Sequence, residues 1–142
     1  MMKKLIALGI ILLCFGCTKK IESDITSFTY TLGYGLGGSC TYIVEAKDEK
    51  AIYKINCYGM NTTEEEKEVD ASYLKELQKI IDENEIYKWD GFDKSDDGVM
   101  DGSGFSLNVS YANGKSIKAH GYMKYPSNYQ AGHKALLDFL TK

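Results

Sequence analysis

Proline is almost absent, with one residue in 142. No low-complexity tract accompanies it. No internal repeat has a convincing period, although both halves run strands first and a helix after, so a repeat array is excluded. Histidine is nearly as scarce: His120 falls on the polar face of a strand, His133 on a helix stripe, and the sequence sets no metal or general-base partner beside either. No serine occupies a G-x-S-x-G elbow, so that route to acyl chemistry is closed. The longest apolar run, residues 5–15, is well short of the roughly 20 residues a membrane-spanning helix needs.

That short run has a different use. It follows Met1-Met2-Lys3-Lys4 and ends in Leu13-Cys14-Phe15-Gly16-Cys17, the layout of a secretory signal. The ending resembles the lipobox of bacterial lipoproteins, in which a small residue precedes the cysteine that becomes the lipidated N-terminus. The resemblance implies a signal peptide at 1–16, lipidation of Cys17, a polar tether at 17–24 and one domain at 25–142. A diacyl anchor would hold the domain on a membrane, facing outside the cytoplasm. Removing residues 1–16 leaves 126 residues, enough to bury one core. Lys3 and Lys4 leave with the signal, so 15 basic residues face 20 acidic ones, a net charge of −5. Such a balance argues against nucleic acid as a partner.

Processing also changes the cysteine count. On that resemblance Cys14 would be discarded and Cys17 lipidated, leaving Cys40 and Cys57, which are too few for a structural zinc site. Phe28, Tyr30 and Leu32 alternate with polar residues as one strand. Cys40, Tyr42, Val44 and Ala46 share a face of a second, and Ala51, Tyr53, Ile55 and Cys57 a face of a third. Pairing Ala46 with Ala51 makes every pair on that face apolar and sets Cys40 opposite Cys57, which predicts a cross-strand disulfide. Residues 61–68 read as an acidic solvated loop. Asp70 then caps a helix carrying Tyr73, Leu74, Leu77, Ile80 and Ile81, with Val69 as a staple onto Leu74.

Phe105, Leu107, Val109 and Tyr111 mark a later strand. The Asn113-Gly114 dipeptide suggests a two-residue turn, but that register sets Val109 against Lys118. A three-residue loop, 112–114, restores apolar pairs such as Val109 with Ile117. Ser127-Asn128-Tyr129-Gln130 fits a capping box for a helix carrying Tyr129, His133, Leu136, Leu137 and Leu140. The expected fold is α+β: an antiparallel sheet of about five strands in the order βββ-α-ββ-α, with two helices packed on one face.

Two segments invite functional readings. Asp93, Ser95 and Asp97 sit at positions 1, 3 and 5 of an EF-hand-like calcium loop, Gly98 at 6 and Asp101 at 9, but position 12 is Gly104 instead of the bidentate Glu. The bland alternative is an Asp/Gly-rich surface loop. Residues 33–38 match G-x-G-x-x-G, yet a strand follows where the dinucleotide fingerprint needs a helix, so the stretch reads as a flexible hairpin loop. Of the 11 tyrosines, Tyr58, Tyr122 and Tyr125 fall outside the core pattern and offer a surface for an envelope protein, peptide or glycan.

Trp89-Asp90-Gly91-Phe92, Asp101-Gly102, Phe105-Ser106-Leu107, Gly114-Lys115 and Pro126-Ser127-Asn128-Tyr129 together resemble small uncharacterised lipoproteins of low-GC Gram-positive bacteria, over residues 65–140. That resemblance implies the address and the fold, and no activity. The leading expectation is a non-enzymatic binding or accessory domain on the membrane. The competing one is a calcium- or metal-dependent module using Asp93, Ser95, Asp97 and Asp101.

Overall fold

A computed structural model describes residues 18–59 and 61–142. The expected signal peptide and Cys17 lie outside the described residues. Strand β1 (Ile25–Tyr34) leads to β2 (Gly38–Lys47), β3 (Lys50–Gly59) and β4 (Thr63–Asp70). Helix α1 (Ser72–Glu83) follows, then a 3-10 turn at Ile86–Trp89 and a short β5 (Asp93–Ser95). Strands β6 (Ser103–Tyr111) and β7 (Ser116–Tyr122) and helix α2 (Tyr129–Leu140) complete the chain.

The strands form one sheet in the order β4-β3-β2-β1-β6-β7-β5. Every neighbouring pair is antiparallel except β5 with β7. The α+β class stands, and the strand count is seven where the sequence suggested about five. The sequence reads as a loop over 61–68 and as a helix start at Val69-Asp70, because the residues of β4, TEEEKEVD, have no apolar alternation. It is an edge strand, exposed along almost its whole length, and pairing with β3 decides its conformation. Lys54 and Glu66 are directly paired and their charges lie 3.4 Å apart. Charges along such an edge discourage pairing with a further strand. Strand β5 is only three residues long and depends on its parallel partner, with His120 N–H donating to Phe92 O at 2.8 Å.

Both hairpin registers follow the apolar-pair argument. Ala46 faces Ala51, Val44 faces Tyr53 and Cys40 faces Cys57. In the second hairpin Val109 faces Ile117 and Leu107 faces Ala119. Gly114 adopts φ +83°, the left-handed geometry that a three-residue loop requires. Cys40 and Cys57 are at disulfide-bonding distance, 2.13 Å between sulfurs and 4.0 Å between Cα atoms.

One face of the sheet carries Phe28, Tyr30, Val44, Tyr53, Leu107, Val109 and Ile117, all buried, and the core cluster unites them with Leu74, Leu77 and Ile81 of α1 and Leu136, Phe139 and Leu140 of α2. Burial of a large apolar side chain contributes about 1.5–3 kcal/mol, so this layer holds the domain together. Both helices start differently from expectation. The first turn of α1 begins at Ser72, whose N–H donates to Asp70 Oδ1 at 2.8 Å, so Asp70 serves the turn from one residue further out. The expected Ser127–Gln130 capping box does not form: Asn128 occupies the cap position and turns its side chain inward to Trp89.

Candidate functional site

Strand β1 gives the molecule two distinct ends. At its start the preceding residues lie against the domain. Ile21 packs on the core, Gln78 Nε2 donates to Ser23 O at 2.6 Å, Ala112 N–H donates to Asp24 O at 2.9 Å, and Lys20 pairs with Asp82 at 3.2 Å. Residues 20–24, expected as tether, therefore contact the fold. Ten residues of strand span about 33 Å, so Tyr34 lies at the opposite end of the sheet.

The exposed large hydrophobic residues among those described are Tyr34, Leu36, Tyr58, Met100, Met123 and Tyr125. All belong to that far end. Tyr34 ends β1, Leu36 lies in the β1–β2 connection, Tyr58 stands near the end of β3 opposite Ser39, and Met100 precedes β6. Met123 and Tyr125 follow β7, with Met123 N–H donating to Ser103 O at 2.9 Å and the Ser103 and Tyr125 hydroxyls 2.7 Å apart. Leu36 and Met100 are 85 % and 87 % exposed.

The glycines at 33–38 explain why these connections lie so close together. A Cβ at Gly35 would stand 2.5 Å from Asp101 O, and one at Gly38 1.8 Å from Tyr58 O. The hairpin tip thus presses backbone to backbone on its neighbours. The G-x-G-x-x-G match reflects close packing in a strand-to-strand connection, and a short 3-10 turn at Gly35–Gly37 occupies it.

On the face of the sheet away from the helices, the registers align side chains in rows. Asp93 pairs with His120, His120 with Ser106, and Ser106 with Thr31. His120 Nδ1 stands 3.3 Å from Asp93 Oδ1. A second row runs Gly33, Gly104, Tyr122 and Ser95. The Tyr122 hydroxyl accepts from Gly102 N–H at 2.8 Å and donates to Val99 O at 2.9 Å, which fixes its ring. Two adjoining concavities open here, of about 500 and 230 Å³, and both are lined by Ser106 and His120. Sequence reading gave His120 no partner, because nothing in a three-residue strand announces that Asp93 will lie beside it.

Beneath α2, the Tyr30 hydroxyl lies 2.8 Å from His133 Nδ1 and 3.0 Å from the Tyr129 hydroxyl. Burial holds the Tyr30 phenol far above its ordinary range and pushes Tyr129 up to about 12, while the same desolvation lowers His133. Tyr129 stacks on His133 and lies against Tyr125, which joins this cluster to the far end.

The calcium-loop residues are dispersed differently from the EF-hand pattern. Asp93 and Ser95 belong to β5 and share the open face with His120 and Tyr122, while Asp97 and Asp101 lie in the connection to β6. Among the described residues no group of three or more His, Cys, Asp or Glu side chains could hold a metal ion. The structure brings Asp93 beside His120. No protein-family model matches the chain, and no curated protein is significantly similar to it.

Proposed function

We propose that this chain is a lipid-anchored domain, held through Cys17 on the outer face of a membrane, that binds an envelope partner with the end of its sheet farthest from the anchor. The observation that carries the reading is polarity along β1. The described chain begins against α1 and the 112–114 turn, and the exposed Tyr, Leu and Met side chains gather about one strand length away. An anchor at residue 17 would turn that apolar end outward. The Cys40–Cys57 pair supports an oxidising location. Binding is favoured because the Asp93–His120 pair is open to water, with more than half of each side chain exposed, which suits hydrogen bonding to a ligand at the surface better than a reaction that must exclude water.

The test combines address and orientation. Cys17→Ser should move the protein out of the membrane fraction. A Leu36→Cys variant should react on intact cells with a membrane-impermeant maleimide, and an Asn113→Cys variant, at the anchored end, should react more slowly. Membrane retention of Cys17→Ser, or equal labelling of the two positions, would overturn the proposal.

A further inference from the structure

We propose that the open-face trough beside the far end is a binding site for an uncharged glycan, with Tyr122 as the stacking platform and Asp93, His120, Ser106 and Asn108 as its hydrogen-bonding set. The inference rests on the reading of the domain as an envelope-facing binder and names its ligand class.

The platform comes from glycine. Position 104 sits directly opposite Tyr122, and a Cβ there would lie 3.4 Å from Tyr122 Cδ2. A Cβ at Gly102 would lie 3.0 Å from Cζ of the same ring. The ring is therefore laid along a strip of bare backbone, and its hydroxyl is consumed by Gly102 and Val99. What the ring offers the trough is its apolar surface, beside Thr31, Gly33 and Ser106. An aromatic face with no free polar group suits the C–H face of a pyranose.

One row further along lie the polar groups. Asp93 accepts, His120 donates or accepts and Ser106 does both, and the row after that adds the Asn108 amide opposite Lys118, the kinds of partner that neighbouring sugar hydroxyls take. Successive same-face rows along a strand stand about 6.8 Å apart, so a sugar on Tyr122 places the next one near His120. Lys118 balances Asp93 in charge at the trough, so neither a polyanion nor a polycation is favoured. A peptide is the weaker fit. Backbone groups of β6 and β7 are paired with neighbouring strands, and the free edge beside the trough, β5, is only three residues long, too short to hold an extended peptide by backbone bonds.

The test uses the full lipidated chain in a detergent without sugar headgroups, with cellotetraose and tetra-N-acetylchitotetraose as probes and saturation-transfer NMR as readout. Saturable binding of at least one is expected, weakened about fivefold or more by His120→Ala and by Asp93→Asn. Both positions are exposed, so the thermal midpoint should hold. Tyr122→Phe should retain binding, since it keeps the ring. Tyr122→Ala should abolish it. No saturable binding up to about 10 mM, or binding unchanged by His120→Ala and Asp93→Asn, overturns the glycan assignment. If the glycans fail while Cys17 and Leu36 behave as proposed above, the ligand class is wrong and the anchored, outward-facing domain stands.

Discussion

Trp89 and Asn128 are joined side chain to side chain. The indole N–H, on a residue with no solvent exposure, donates to Asn128 Oδ1 at 2.9 Å. The other half of the amide donates to Asn84 O at 3.0 Å. One side chain therefore ties the 3-10 turn, the end of α1 and the start of α2. Asn128→Ala leaves the buried indole N–H unpaired, which costs about 1–3 kcal/mol. Asn128→Asp keeps the acceptor and loses the donor, so it should destabilise as well, with its carboxylate set against Asn84 O. Urea unfolding followed by Trp89 fluorescence measures both; wild-type stability in Asn128→Ala would refute the role.

Much of this architecture is readable from residue pattern, and the misses have physical causes. Alternation of period two, with the demand for apolar pairs, fixes both hairpin registers and sets Cys40 opposite Cys57. It even overrules the Asn113-Gly114 signal. Strand β4 escapes because its residues have nothing apolar to bury: it lies at the sheet edge, and only β3 beside it makes it a strand. Ser127-Asn128-Tyr129-Gln130 misleads because a cap is a local preference, and the buried Trp89 N–H has the stronger claim on Asn128. For the candidate site, Tyr122 and Tyr125 are flagged by falling outside the core pattern. The partnership of Asp93 with His120 depends on a parallel pairing between distant segments, which no local signal encodes.

The Cys40–Cys57 pair predicts a redox-dependent stability. The two residues are separated by 17 positions, and closing a loop of that size stabilises by about 3 kcal/mol through the unfolded chain. Reductant should lower the thermal midpoint of the wild type and leave a Cys40→Ala/Cys57→Ala double variant unmoved. A wild type that is insensitive to reductant, with two titratable thiols before its addition, would show the bond is not formed in the isolated protein.

Gly132 packs α2 onto the aromatic layer. It is buried, and a Cβ there would stand 2.6 Å from Trp89 Cζ2 and 3.0 Å from Ile86 Cγ1. Alanine ordinarily favours a helix by about 1 kcal/mol over glycine. Here the clash opposes that gain, because Trp89 is locked by Asn128 and flanked by Phe105 and Tyr129. Overpacking of this kind costs about 1–3 kcal/mol. Gly132→Ala should therefore lower the urea midpoint; an increase would mean that the ring can give way.

Titratable groups shifted by burial or by hydrogen bonds predict how stability changes with pH on both sides of neutrality. Burial lowers the folded-state value of His133 below its ordinary 6.5, so the unfolded chain takes up the proton first. Stability should then fall as pH drops below 6.5 and level off once the folded-state value is passed. The carboxylates of Glu68 and Asp70 add a separate acid loss at lower pH. A hydrogen bond from Lys50 holds Glu68 below its ordinary value, and the Ser72 N–H does the same for Asp70. On the alkaline side the sign reverses in mechanism. Burial pushes Tyr53, Tyr111 and Tyr129 up to about 12, so the unfolded chain loses those protons first, near the ordinary value of 10.0. Stability should be complete below pH 10 and fall above it. His133→Gln separates these limbs, since its amide oxygen can still accept from the Tyr30 hydroxyl. Urea midpoints measured across pH should lose the step just below 6.5 in that variant and keep both the lower carboxylate loss and the alkaline fall. A step just below 6.5 that survives in His133→Gln would assign it to another group, and phenolate absorbance rising fully at pH 10 without unfolding would show that the buried tyrosines are not protected.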